Sequence, residues 1–306
     1  MMQVTFLGTS AALPTVERNV AGLMIQREGE LLLFDCGEGT QRQMMRYGAG
    51  FTIEDIFFSH YHSDHVLGLP GLLRSLGMMG RTAPLRLYGP RGAHTQLGAL
   101  VALGMERVKF GVDIIELLPG QVLARGEYDL HVGEANHRGE CVAYALVEHD
   151  RLGRFDPELA RSLGIPEGPL WGRIHRGESV TLGDGRVVAP TELVGPVRPG
   201  RRVTYSGDSA PTDAMLHLAV GADLLIHEAT FGEDERERAR ETMHSTAREA
   251  ATLALEAGVH RLVLTHISAR YSREAPELLA EARAVFEATT IARDGMVVEV
   301  PYRTVS

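Results

Sequence analysis

Apolar residues recur in the first third of the chain as short runs separated by glycine turns. The runs at 3–7, 21–26 and 31–35 predict strands. Residues 38–47 carry a helical pattern, and DIFFS at 55–59 predicts a short buried strand. Helices are predicted at 67–79 and 93–103. Strand patterns return at 85–88, 111–117, 128–132 and 142–148. After residue 200, strands at 202–205, 223–226 and 261–264 alternate with helices near 211–220, 234–257 and 274–288. Strand-rich segments followed by strand–helix alternation predict a layered α/β protein with both sheet faces covered. Residues 151–200 break the pattern, being rich in glycine, proline and arginine with weak periodicity. A structureless loop that long is uncommon, so the segment is expected to be a flexible arm inserted into a single domain spanning 1–306.

Composition narrows the class. With 44% hydrophobic and 23% charged residues, the 306-residue chain reads as a soluble globular protein. No apolar run approaches the roughly 20 residues of a membrane span. The N-terminus lacks the charged region of a signal peptide. Cys36 and Cys141 are too few for a disulfide framework, so reduced thiols and a cytoplasmic location are expected. The net charge of −9 argues against a protein that coats nucleic acid indiscriminately. That charge is uneven. Residues 151–202 hold nine Arg and six acidic residues, a balance of +3, which leaves −12 on the remainder. Lys109 is the only lysine, and arginine suits bidentate phosphate contacts.

The chemistry lies in Ser59-His60-Tyr61-His62-Ser63-Asp64-His65, directly after an apolar strand. Extended backbone places His60 and His62 on one side, and Asp64 and His65 can turn toward a neighbouring position. Several polar rings in one loop would be wasteful as packing, because each needs a partner. Nitrogen and oxygen donors without thiolate favour zinc and leave manganese or iron open. One loop cannot complete two metal sites, so the other ligands should come from the C-terminal ends of further strands. His137, Asp208 and His266 each follow a predicted strand and bring the set to seven. His227 also ends a strand and is expected to orient the ligands. His244 lies within or at a break of the 234–257 helix, where Ser245 and Thr246 could cap a helix starting at Ala247. His94, His131, His149, His175, His217 and His260 lack a motif and read as ordinary surface or core residues.

His60-x-His62-x-Asp64-His65 resembles the metal motif of the metallo-β-lactamase superfamily. More specifically, the chain resembles the short bacterial form of the ribonuclease Z family over nearly its whole length. The matching segments include FLGTSAALPT at 6–15, FDCGEGTQ at 34–41, SHYHSDHVLGLPGLL at 59–73 and NHR at 136–138. YSGDSAP at 205–211, HEATF at 227–231, HST at 244–246 and LTHISARY at 264–271 continue the match. The resemblance implies an αββα sandwich with two zinc ions per subunit. His60, His62 and His137 would bind one, Asp64, His65 and His266 the other, and Asp208 would bridge them. It further implies an endonuclease that removes the 3′ trailer of precursor tRNA. The arm would be a tRNA exosite, with GIPEGPLWG at 164–172 flanked by Arg154, Arg173 and Arg176. A homodimer whose arm grips tRNA in trans is also implied. Arg18, Asn19, Gly168, Pro169, Arg173 and Arg176 are the expected substrate contacts. One position departs: the family loop Pro-x-Lys-x-Arg-Asn reads Pro14-Thr15-Val16-Glu17-Arg18-Asn19 here.

Asp64 is the expected orienting group for the attacking water, and His244 the expected general acid, held by Glu228. Cleavage should leave a 3′-OH on the tRNA. The rival reading is a hydrolase of the same fold acting on small phosphodiesters, which has no use for the arm.

Overall fold

The computed structural model describes residues 1–105, 107–271 and 274–303. Two seven-stranded sheets form its frame. The first runs Val297–Glu299, Met2–Gly8, Gly22–Arg27, Glu30–Phe34, Asp55–Phe57, Leu85–Gly89 and Val112–Glu116. It is antiparallel up to Glu30–Phe34 and parallel beyond. The second runs Thr289–Ile291, Leu262–Thr265, Leu224–Glu228, Arg202–Tyr205, Val142–Glu148, Tyr128–Glu134 and Val122–Ala124. Its four strands from Arg202–Tyr205 to Thr289–Ile291 are parallel.

Alternating apolar residues of both sheets meet in a shared core containing Phe6, Phe34, Phe57, Tyr144 and Tyr205. Phe57 stacks between Phe34 and Tyr88, with ring centroids 5.2 and 4.6 Å away. Each buried aromatic or large aliphatic side chain contributes about 1.5–3 kcal/mol. The outer face of the first sheet is covered by helices Thr40–Tyr47, Leu69–Met78 and Ala93–Ala102. Asp213–Ala219, Ala247–Glu256 and Pro276–Arg283 cover the second. The result is the four-layered αββα sandwich that the motif implied. No helix among the described residues is long and apolar enough to cross a membrane.

One predicted helix, 234–257, is divided. Arg236–Thr242 ends at Met243, whose φ of 58° is left-handed, and Ala247–Glu256 starts afresh. Thr246 caps the second helix in a reciprocal box with Glu249, through contacts of 3.1 and 3.0 Å. The break frees His244 from both helices. The strands Val122–Ala124, Thr289–Ile291 and Val297–Glu299 are three residues each and lack the apolar run with adjacent aromatics, Ile56-Phe57-Phe58, that marks Asp55–Phe57 in the sequence.

Residues 148–201, with Tyr302 and Arg303, form a second compact unit. It holds helices Pro157–Ser162, Pro169–His175 and Pro190–Leu193 and the hairpin Val180–Thr181 with Val187–Val188. These elements enclose Ala160, Ile165, Ile174, Val180, Val188 and Leu193. Asp156 caps the first helix by accepting from the Leu159 amide at 2.9 Å, with proline as the opening helical residue. The segment expected as an arm therefore has a core of its own, built from elements too short to show periodicity.

Candidate metal centre

The histidines and carboxylates reach one place because each sits at the C-terminal end of a strand. Asp35 follows Glu30–Phe34, and the His60–His65 loop follows Asp55–Phe57. Asp208 follows Arg202–Tyr205, Glu228 ends its own strand, and His266 follows Leu262–Thr265. Close backbone crossings fix these loops. Gly207, with φ of 58°, sits where a Cβ would lie 2.5 Å from Ser59 Cβ, so only glycine fits where the loop before Asp208 passes Ser59. His266 itself has a left-handed φ of 56°, a conformation that persists only where surrounding contacts hold it.

Two donor groups result. His60, His62, His137 and Asp208 form one, and Asp64, His65 and His266 form the other, with donor atoms in each within 4.8 Å of one another. Asp208 belongs to both in space. Its Oδ2 lies 3.3 Å from His266 Nε2, 3.7 Å from His60 Nε2 and 3.8 Å from His137 Nε2. Its Oδ1 lies 3.4 Å from His65 Nε2. Bonds of 2.0–2.1 Å to a tetrahedral ion would set donors about 3.3–3.4 Å apart, and the separations here run from 3.3 to 3.8 Å. His60 Nε2 and Asp208 Oδ1 are buried without a hydrogen-bond partner, a cost of about 1–3 kcal/mol each that a cation would remove. The donor set fits divalent metal.

Four ligand rings are oriented through their other nitrogen. His60 Nδ1 meets Ser59 Oγ at 3.0 Å, and His65 Nδ1 meets Asp35 Oδ2 at 2.8 Å. His137 Nδ1 meets the Met243 carbonyl at 2.9 Å, and His266 Nδ1 meets Thr230 Oγ1 at 2.9 Å. Such partners fix tautomer and ring direction. Burial holds His60 and His137 below the usual imidazole pKa. Burial works against a charged His65, yet Asp208, Asp35 and Asp64 together hold its pKa well above the ordinary value. A cation would take the place of that proton. Asp64 and Asp208 stay ionised despite burial because imidazoles surround them: chiefly His65 for Asp64, and His266 and His65 for Asp208.

His244 stands beside this cluster. Its Nδ1 is 2.6 Å from Glu228 Oε1, and its ring lies 4.5 Å from that of His137 and 5.4 Å from that of His266. Burial lowers its pKa and the Glu228 carboxylate raises it, with a net rise to about 9. Glu228 is fully buried and also accepts from the Ser209 and Thr230 amides and from Thr230 Oγ1.

Curated relatives agree over nearly the whole length. The chain is 58% identical to Ribonuclease Z of Gemmatimonas aurantiaca, over 97% of this chain and 95% of that one. It is 53% identical to Ribonuclease Z of Myxococcus xanthus over 99% of each. The chain belongs to the ribonuclease Z family. It is a hydrolytic endoribonuclease on a metallo-β-lactamase fold. The Beta-lactamase superfamily domain matches residues 173–267, and the Anti-Pycsar protein Apyc1 family matches residues 2–117. The crystal structure of human tRNase Z, short form, is 28% identical with a TM-score of 0.71, covering 98% of this chain and 99% of that one. A metallo-beta-lactamase fold protein from Bacillus subtilis has a TM-score of 0.70 at 23% identity, covering 98% and 100%, a likeness of fold alone.

The other expected site residues lie as follows. His227 is buried, its Nδ1 donates to the Glu228 carbonyl at 2.8 Å, and no hydrogen bond or ring contact joins it to a ligand. Arg18 is 3% exposed and donates to Thr9 Oγ1 and the Ala292 carbonyl, both at 2.7 Å. Asn19 donates its amide to Asp294 at 2.7 Å and its side chain to the Glu38 carbonyl at 2.8 Å. Both residues brace the 9–19 loop, whose Ala12 amide donates to Asp64 Oδ2 at 2.9 Å. Val16 in the same loop is 96% exposed. In the inserted unit, Gly168 and Pro169 open helix Pro169–His175, and Arg173 and Arg176 both pair with Glu178.

Sequence reasoning passed over Asp35 as a site residue. It is fully buried and accepts from the Ser59 amide and hydroxyl, the Tyr205 hydroxyl and His65. The signal was present, since Asp35 ends an apolar strand just as Asp208 follows one.

Proposed function

We infer that the chain is a two-zinc tRNA 3′-processing endoribonuclease that leaves a 3′-OH on the tRNA. The observation that carries this reading is the seven-donor cluster with His244–Glu228 beside it, in a chain 58% identical to a ribonuclease Z. The same donors accept manganese or another divalent ion.

His60, His62, His137 and Asp208 would hold one ion, and Asp64, His65 and His266 the other, with Asp208 shared. When bound, such a pair neutralises the phosphate and makes a nucleophile available at neutral pH. Asp64, fixed by the Ala12 amide, orients the attacking water and takes its proton. His244 donates a proton to the leaving ribose oxygen. Glu228 holds that ring through a 2.6 Å contact and stabilises its charged form. The compact unit at 148–201 supports the tRNA reading, because a hydrolase of small phosphodiesters needs no such addition. By the family resemblance the enzyme works as a homodimer whose unit grips tRNA cut by the partner. The two free, buried cysteines suit a reducing cytoplasm.

The test is a comparison of substrates on metal-loaded protein. A 3′-extended precursor tRNA should have a kcat/KM far above that of a nitrophenyl phosphodiester. Efficient turnover of the small diester with none of the tRNA would favour the small-phosphodiester reading.

A further inference from the structure

The inserted unit contains a cleft of about 300 Å³ at the point where its two connecting segments run side by side. Arg151, Arg154, Arg198 and Arg303 line it together with Tyr302, and no carboxylate among the described residues does. The chain brings these charges together through backbone pairing. Arg151 and Arg198 face each other across an antiparallel bridge, with reciprocal amide contacts of 2.8 and 2.9 Å. Like charges directly opposite in such a ladder repel and cost stability.

Elsewhere in the unit the exposed arginines have partners of their own: Arg186 donates to the Leu163 carbonyl, and three others pair with carboxylates. Arg161 pairs with Glu158 and Glu167, and Arg173 and Arg176 share Glu178. In the cleft the pattern differs. The Arg154 guanidinium is exposed and makes no hydrogen bond or ion pair among the described residues. Arg198 donates only Nε, to the Leu152 carbonyl at 3.0 Å. Arg151 lies 3.1 Å above the Tyr302 ring, and its buried Nε has no hydrogen-bond partner. Tyr302 is held in turn by Arg201, whose guanidinium lies 3.9 Å from the ring and is locked to Glu148 by two 2.7 Å contacts. Two guanidinium groups already cover the ring, which leaves it no role in stacking a base.

We propose that this cleft is a phosphate-binding site that takes a backbone phosphodiester of RNA. Planar guanidinium forks match phosphate oxygens in pairs, and an anion would relieve the repulsion between Arg151 and Arg198. With the aromatic occupied, the contact carries no sequence information and serves to position the strand. The phosphate chemistry stands on the cleft alone, while the choice of RNA over free phosphate rests on the proposed function.

The test uses the full-length protein, stripped of metal so that RNA stays intact. Arginine Nε–H NMR shifts on titration with inorganic phosphate read the site. The affinity for a 3′-extended precursor tRNA across a salt series reads its use by RNA. In Arg154→Ala/Arg198→Ala the phosphate-induced shifts should vanish, and the slope of log affinity against log salt should become shallower by about 2, near one unit per lost contact. Arg154→Lys/Arg198→Lys should restore the slope, and matching unfolding temperatures show that both variants fold. Wild-type phosphate shifts and a wild-type slope in the alanine variant would overturn the proposal. Loss of the phosphate shifts with an unchanged slope would overturn the RNA assignment. Phosphate binding by a wild-type protein that binds no precursor tRNA would count against the proposed function and leave the cleft standing.

Discussion

The catalytic body and the inserted unit use charge in opposite ways. In the body, ionised groups are buried and crowded with partners. Asp35 receives Ser59, His65 and Tyr205, and Glu228 receives His244, Ser209 and Thr230. In the inserted unit, six buried apolar side chains form the core, and apart from the buried Arg201–Glu148 pair most arginines stand toward solvent, some paired and some facing one another. Bond-breaking needs donors fixed to within fractions of an ångström, and a dense buried network provides that. Holding a long polyanion requires accessible positive charge, which a small core can carry.

The comparison breaks first at Asp208, the carboxylate shared by both donor groups. Asp208→Ala should lower metal content and reduce cleavage by about 10³-fold or more, since several kcal/mol of charge stabilisation depend on it. Metal analysis alongside initial rates checks this, and wild-type metal content would refute the shared role. His244→Ala should retain metal yet slow single-turnover cleavage by about 10²–10⁴-fold. An unchanged single-turnover rate removes His244 from the chemistry.

Asp35→Ala acts one step removed, by freeing the His65 ring. Metal affinity should fall by about 10–100-fold, and Asp35→Asn should lie between it and wild type because it still accepts from Ser59 and Tyr205. A competition titration with a chelator reads the difference.

In the inserted unit, Ile174→Ala should cost about 2–5 kcal/mol locally. The cost should appear as faster amide exchange within 148–201, with metal content unaffected. Loss of metal in that variant would show that the unit's core supports the centre. The smallest effect concerns the thiols. Burial raises Cys36 to about 12 and Cys141 to about 11, so neither should be alkylated in folded protein near neutral pH.

How well each region could be read from sequence follows the same division. The seven donors were legible because each follows a predicted strand, and the HxHxDH spacing fixes four of them. A layered α/β protein was legible from strand runs followed by strand–helix alternation, whereas the αββα order followed from the resemblance to the superfamily. Asp35 was missed because an aspartate after a strand is also an ordinary turn residue, and its three partner residues come from remote parts of the chain. The break at Met243 left only a weak trace, the Ser245-Thr246 cap, because a helical pattern continues on both sides. The core of the inserted unit was illegible because helices of four to seven residues span at most about two turns, too few to establish a repeat. Arg18 shows a further limit. Its type and motif suggest a phosphate contact, whereas its burial against Thr9 and Ala292 braces the loop that holds Asp64.

The most direct test of the whole account is to map product ends. Metal-loaded protein is incubated with a 3′-extended precursor tRNA under single-turnover conditions, and both fragments are sequenced and tested for terminal phosphate. One cut at the trailer junction is predicted, leaving a 3′-OH on the tRNA and a 5′-phosphate on the trailer, and both should be lost in Asp208→Ala. Intact tRNA in the presence of bound metal, or a tRNA fragment ending in a 3′-phosphate, would contradict it.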